Sequence, residues 1–318
     1  MSGGVGSQVV AGIAQVVVGV AVAPLVLGVT RAARARLEGR AGGRVLQPWR
    51  DLRKWWRKTP LQADGTSLVS RVAPALLAVS SLVVVALVPL VTAAATVVPA
   101  DLFVVVSVLL LGTVALALLG LDAGSAFGGM GSSRHMMIAA LVEPTVLMAV
   151  YALSVPVGSS SLSHIVDARR DDPGSIASPA GVLAVVALVI VVLAETGRLP
   201  VDNPSTHLEL TMIHEAMVLE ASGRDLALLE LGSWLRLTAL LGLVGNLVVP
   251  WGVAGGTGVG ELALGAATLV VKLVVLAALL GAAEVGLAKL RLFRVPELLA
   301  GSFVLAFLAV TASALVAS

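Results

Sequence analysis

The chain of 318 residues contains no cysteine. That excludes structural disulfides and thiolate-held iron–sulfur clusters within it. Aromatic residues make up only 3%, too few for the interfacial girdles of an outer-membrane barrel, and the dyad alternation of such strands is missing as well. Charged residues are also scarce, at 13% against about 25% for a soluble domain. What fills the chain is Leu, Val and Ala, with 58% hydrophobic residues overall. Apolar runs recur that are each long enough to cross a hydrocarbon core of about 30 Å. The composition predicts an all-α polytopic membrane protein, a single integral-membrane domain over 1–318. The opening MSGGVGSQVVAGIAQ lacks the positive n-region of a secretory signal, so its apolar run reads as a retained first helix.

Eight spans are predicted, near Ser7–Thr30, Val72–Val98, Leu102–Leu121, Met136–Val157, Pro179–Ala194, Leu226–Val249, Leu262–Ala283 and Leu298–Ala317. The second carries Pro74 and Pro89, which predicts tilt or a kink. The connection from Arg31 to Arg71 holds eleven Lys and Arg, and the odd-numbered connections together collect 18 of the chain's 21, with Arg236 counted beside the fifth. By the positive-inside rule these connections are cytoplasmic and both termini face outward. The two long cytoplasmic loops then join spans 1–2 (basic, 31–71) and 5–6 (acidic, 195–225). A basic excess beside membrane spans suits topology, anionic lipid or an acidic subunit, and argues against nucleic acid.

Within the first loop, GRVLQPWRDLRKWWRK predicts an interfacial helix starting at Pro48, with Trp49, Leu52, Trp55 and Trp56 towards the membrane and Arg50, Arg53, Lys54 and Arg57 away from it. Either anchoring or a docking surface under a cytoplasmic partner would use such a helix.

Two ionisable residues fall inside apolar runs, Glu143 and Lys272. A charge at mid-bilayer costs at least about 2.5 kcal/mol, so each needs a reason to be there. For Glu143 the readings are an interhelix hydrogen bond or a proton-relay position, with Pro144 freeing a carbonyl in the preceding turn where water can enter. For Lys272 they are a counter-ion or a relay group. Glu195 and Glu284 fall near cytoplasmic helix ends, where snorkelling or interfacial water satisfies them.

The segment AETGRLPVDNPSTHLELTMIHEAMVLEASG (194–223) gathers Glu195, Asp202, Glu209, Glu215 and Glu220 with His207 and His214. A zincin motif fails because the second histidine of H-E-x-x-H would be Val218. No third ligand follows from the spacing, so no metal site is assigned. Asn203 or Ser205 as a cap and Gly223 as a stop predict a helix here. Its carboxylates would hand protons towards Glu195 and Glu143, or would form a merely solvated face. SAFGGMGSSRH (125–135) lacks the G-x-x-x-x-G-K-S/T spacing of a phosphate loop and reads as a mobile or tightly turning cytoplasmic loop. No nucleophile–base set is present, so no catalytic residue is assigned.

Four segments carry a family resemblance: GRVLQPWRDLRKWWRK, LDAGSAFGGMGSSRHMMIAALVEP, AETGRLPVDNPSTHLELTMIHEAMVLEASGRDLALLE and AEVGLAKLRLFRVPELLAGSF. In this order they resemble the membrane-anchor subunit of group 4 membrane-bound nickel–iron hydrogenases, of the formate hydrogenlyase and hydrogenase-4 type. That family is homologous to the membrane-arm component of respiratory complex I that belongs to the subunit 1 family. The complex I pattern resembles AETNR-x-PFDLPE followed by EYSG, whereas this chain has the D-N-P-x-T-H-L-E-L-T-M-x-H-E-A-M form of the hydrogenase branch.

The resemblance implies a multi-pass cell-membrane subunit beneath a cytoplasmic hydrogenase large subunit and a small iron–sulfur subunit, beside antiporter-like membrane subunits. No cofactor is implied in this chain; the iron–sulfur clusters and nickel–iron centre belong to those partners. It implies proton-path positions at Glu143, Glu195, Glu209, Glu215 and Glu220, to which the intramembrane charge adds Lys272. Partner-junction candidates are Arg44, Arg50, Asp51, Arg53, Arg134, Arg198, Asp202, His207 and His214. The alternatives are a quinone-reactive complex I subunit, a structural anchor and a stand-alone transporter.

Overall fold

The structure, a computed structural model, describes residues 5–63, 65–94, 100–202, 212–287, 290 and 294–317. Its elements are helical: α1 (Val5–Leu37), α2 (Gln47–Trp56), α3 (Leu68–Leu87), α4 (Leu102–Asp122), α5 (Ala126–Ser154), α6 (Leu162–Asp171), α7 (Pro179–Glu195), α8 (His214–Val218), α9 (Gly223–Val248), α10 (Val259–Gly286) and α11 (Val295–Ala317). Among the described residues, seven helices are long and apolar enough to cross a membrane, and α7 is a shorter apolar helix. Helices suit such a solvent because every backbone polar group is satisfied within the segment.

The ends are set by local chemistry. Ser67, Asp101, Ser125 and Ser178 cap α3, α4, α5 and α7 by accepting from Val69, Phe103, Gly128 and Gly181 amides. Proline opens α2 and α7 in their first turns, where its missing N–H removes no bond. In the interior, α9 packs on α3 and α1, α3 on α4, α1 on α10, and α11 on α5 and α7. The most hydrophobic stretch of α9 is 78% buried, against 28% for α10 and α11. It is the central helix, and a charged residue on it is held inside protein.

Three features depart from the sequence expectations. The second span stops at Leu87 and does not continue to Val98, because Pro89 cannot extend the helix and Val88 turns extended. Carbonyls released at that stop are taken up from other helices. Gln15 Nε2 donates to Val85 and Val88 carbonyls at 2.9 and 2.8 Å, and Asn246 Nδ2 to Pro89 and Leu90 carbonyls at 2.8 and 2.9 Å. The strip beyond bonds to Ala254 through both its amide and its carbonyl.

SAFGGMGSSRH is not a loop but the start of α5, which also runs through Pro144 without a break. Its glycines serve close packing: a Cβ on Gly131 would meet Ala216 Cβ at 2.8 Å. Of the helix expected over the acidic loop, the described part is the short α8, and Gly223 opens α9 with φ of 56° and does not close the preceding helix.

Candidate functional site

Four helices converge on a buried ion cluster. Arg236 lies midway along α9 and is 6% exposed, as is Glu143 on α5. The guanidinium Nη2 stands 2.7 Å from Glu195 Oε1 of α7 and 3.7 Å from Glu143 Oε1. The same nitrogen donates to Thr113 Oγ1 at 2.6 Å and to the Leu109 carbonyl, both on α4. Thr113 Oγ1 reaches Glu143 Oε1 at 3.2 Å and the Leu109 carbonyl at 3.1 Å, and its single proton serves one of them at a time.

One guanidinium therefore faces two carboxylates. With both ionised, a buried negative charge is left uncompensated; with one protonated, the cluster is neutral. Glu143 Oε2, Arg236 Nε and His135 Nε2 are buried and make no hydrogen bond with protein. Groups of that kind are ordinarily satisfied by water.

The cluster opens on a cavity of about 480 Å³, lined by Glu195, Arg236, His135, Arg198, Glu284, Arg34, Asp202, His214 and Glu215 among others. Towards its α1 side a second set of ions forms. Arg198 Nη1 pairs with Glu284 Oε1 at 3.1 Å, and Arg34 Nη1 approaches Glu284 Oε2 at 3.6 Å. Burial pushes the Arg198 guanidinium below its usual range, and Glu284 beside it opposes that shift. Arg34 also bonds Glu38 at 2.9 Å, and Arg40 closes on the same carboxylate.

The site residues expected from sequence separate into groups. Glu143 and Glu195 meet through Arg236, while Arg198, Asp202, His214 and Glu215 line the cavity. Asp202 Oδ2 accepts from the Ile213 and His214 amides at 3.2 and 3.1 Å, fixing the start of α8. Glu220 stands apart, beside Asp225 on a small cleft. Lys272 is elsewhere too: its Nζ donates to Asn246 Oδ1 at 2.9 Å and so braces the amide that holds the stop of α3. Arg134 is half-buried in α5. Arg44 is exposed before α2; Arg50 and Arg53 are exposed on it, and Asp51 accepts from Gln47 at 2.9 Å. His207 and Glu209 lie outside the described residues.

Other expectations need correction. Glu195 and Glu284 are not left to water at helix ends; their side chains are each 4% exposed and ion-paired. In α2 the tryptophans do not share one direction. Trp55 packs on Trp234 of α9, ring centroids 6.3 Å apart, whereas Trp49 and Trp56 are exposed. Arg236, counted beside the fifth connection though inside the predicted span 226–249, lies midway along α9. Its signal was present in GSWLRLTALLG, an arginine inside an apolar run, whose placement there needs a partner. Thr113 and His135 carry no such signal.

A helical membrane bundle with a buried ion cluster beside a charged cavity defines a class of polytopic membrane protein with ionisable residues inside its helices. Comparison with known proteins gives the family. The NADH dehydrogenase family matches residues 10–315, and the chain belongs to it. It is 33% identical over 290 residues to formate hydrogenlyase subunit 4 of Escherichia coli K12, covering 91% of this chain and 93% of that one. It is 31% identical over 248 residues to hydrogenase-4 component C of the same organism, covering 78% and 77%. A solved chain of the membrane-bound sulfane sulfur reductase, an archaeal respiratory membrane complex, superposes with a TM-score of 0.81 at 18% identity, covering 96% of this chain and 99% of that one. The last likeness concerns the fold.

Proposed function

We propose that this chain is the membrane subunit of a formate hydrogenlyase- or hydrogenase-4-like complex, anchoring a cytoplasmic hydrogenase and iron–sulfur module and coupling its electron transfer to proton movement. Its two curated relatives belong, by name, to such assemblies. In this reading α7 is an eighth span, both termini face outward, and the cavity mouth with Arg34, Arg198 and Glu284 opens to the cytoplasm beneath the partners. Antiporter-like subunits receive the protons in the membrane plane. Redox chemistry stays in the partners, and this chain's residues hold and pass protons.

The observation that carries the proposal is the sharing of one buried guanidinium by Glu143 and Glu195 at the inner end of the cavity. A site that is neutral with one proton bound, and reached through ionisable walls, is what a relay requires. Glu220 and Lys272 stand away from it, so Glu143, Glu195 and Glu215 are the preferred path within the described residues.

Glu143→Gln tests this. Glutamine keeps the oxygen that Thr113 reaches but cannot exchange a proton. In the assembled complex the variant is expected to keep dye-linked hydrogenase activity and subunit stoichiometry while losing proton uptake or release in sealed vesicles. Proton transfer at the wild-type rate would end the relay role.

A further inference from the structure

The helix α2 carries more than an anchor needs. At about 100° per residue, its surface divides into three adjoining strips. Leu52 and Trp55 form the strip turned to the protein, where they pack against the core. Next come Trp49 and Trp56, 37% and 49% exposed, with Leu46 at 57% just before the helix. Beyond them lie Arg50, Arg53 and Arg57, all exposed and, among the described residues, without an acidic partner within ion-pair distance. The last two strips, with Leu52 at their edge, wall a groove of about 600 Å³. Asp51, the one acid of the helix, bonds Gln47 instead.

An apolar trough edged on one side by three unneutralised guanidiniums is complementary to an amphiphile with an acyl chain and a phosphate. Arginine binds phosphate oxygens through its fork of donors, and tryptophan ring faces tolerate an acyl chain while their N–H groups stay at the headgroup level. The helix joins α1 to α3 and touches α1 and α9, so it lies where two apolar helices begin and end. We infer that the α2 groove is a binding site for one anionic glycerophospholipid, its phosphate held by Arg50, Arg53 and Arg57 and its chain lying along Leu46, Trp49 and Trp56. The inference is independent of the proton path. It concerns residues none of which line the cavity holding Glu195 and Arg236.

The full chain in nanodiscs tests it, with Trp55, Trp234 and Trp251 replaced by Phe so that only Trp49 and Trp56 report. Discs are made of phosphatidylcholine with a fixed fraction of chain-brominated phosphatidylglycerol, or with the same fraction of brominated phosphatidylcholine. Quenching several-fold greater by the anionic lipid is expected, and that excess is expected to vanish in Arg50→Gln/Arg53→Gln/Arg57→Gln. Equal quenching by the two lipids overturns the inference, since it describes an ordinary interfacial helix. No quenching by either also overturns it, because the groove is then covered by protein or water. The unmodified chain gives a second readout by native mass spectrometry. One retained phosphatidylglycerol, lost in the triple variant, is expected, and indifference to the variant counts against the site.

Discussion

Removing the guanidinium at the centre of the ion cluster is the sharpest probe of the buried architecture. In Arg236→Met, a side chain of similar length loses its charge inside a helix whose central stretch is 78% buried. Glu195, 4% exposed at its side chain, loses its ion contact at 2.7 Å, and the Leu109 carbonyl and Thr113 hydroxyl lose a donor. Breaking a buried pair by deleting one partner typically costs about 3–5 kcal/mol, because the surviving buried charge is left without its counter-ion. At about 2–4 °C per kcal/mol for a chain of this order, the midpoint of thermal unfolding in detergent should fall by on the order of 10 °C. Glu195→Gln alone leaves Arg236 near Glu143, and should lose less. The double variant should regain part of the deficit, with a coupling of about 1–3 kcal/mol as expected for side chains in contact. A loss under about 1 kcal/mol in Arg236→Met, the range of an exposed pair, would show that the cluster is solvated and would remove the reason for treating it as one charge-balanced unit.

Two further outcomes follow from packing. Gly131→Val should destabilise by about 1–3 kcal/mol, since the added Cβ would stand 2.8 Å from Ala216 Cβ. Gly129→Val, with nothing within 4 Å of its Cβ, should be much milder in the same thermal assay. Asn246→Leu withdraws the donor to the Pro89 and Leu90 carbonyls and the acceptor of Lys272. A loss of about 1–3 kcal/mol per buried group left unsatisfied is expected, read as a lower detergent unfolding midpoint. A neutral result would mean the stop of α3 does not depend on that amide.

Much of the architecture was legible in the residues because hydropathy is a local average and a helix of about 20 apolar residues is a local object. The ends of α4 and α7 fall within a few residues of expectation, at Asp122 and Glu195. Local averages fail where a single residue or a distant partner decides. Pro89 ended α3 early inside a run that stays apolar, and the cost of doing so was met by Gln15 and Asn246 from other helices. SAFGGMGSSRH looked like a loop because glycine is a poor helix former. It is helical because a neighbouring segment packs where side chains would otherwise stand, as Gly131 against Ala216 shows.

The candidate site divides along the same line. Glu143 and Lys272 were conspicuous as ionisable residues in apolar runs, and chemistry alone required each to have a partner. Which partner each found could not be read along the chain. Lys272 went to Asn246, away from the carboxylates, and Glu143 went to an arginine that the count of basic residues had grouped with a connection. Composition and periodicity by themselves determined a helical, multi-pass membrane chain, since partition into a bilayer depends on the residues of each segment. Only the tertiary structure decided that Glu143, Glu195 and Arg236 form one ion cluster, because an ion pair in a low-dielectric interior depends on a few ångströms between helices far apart in sequence.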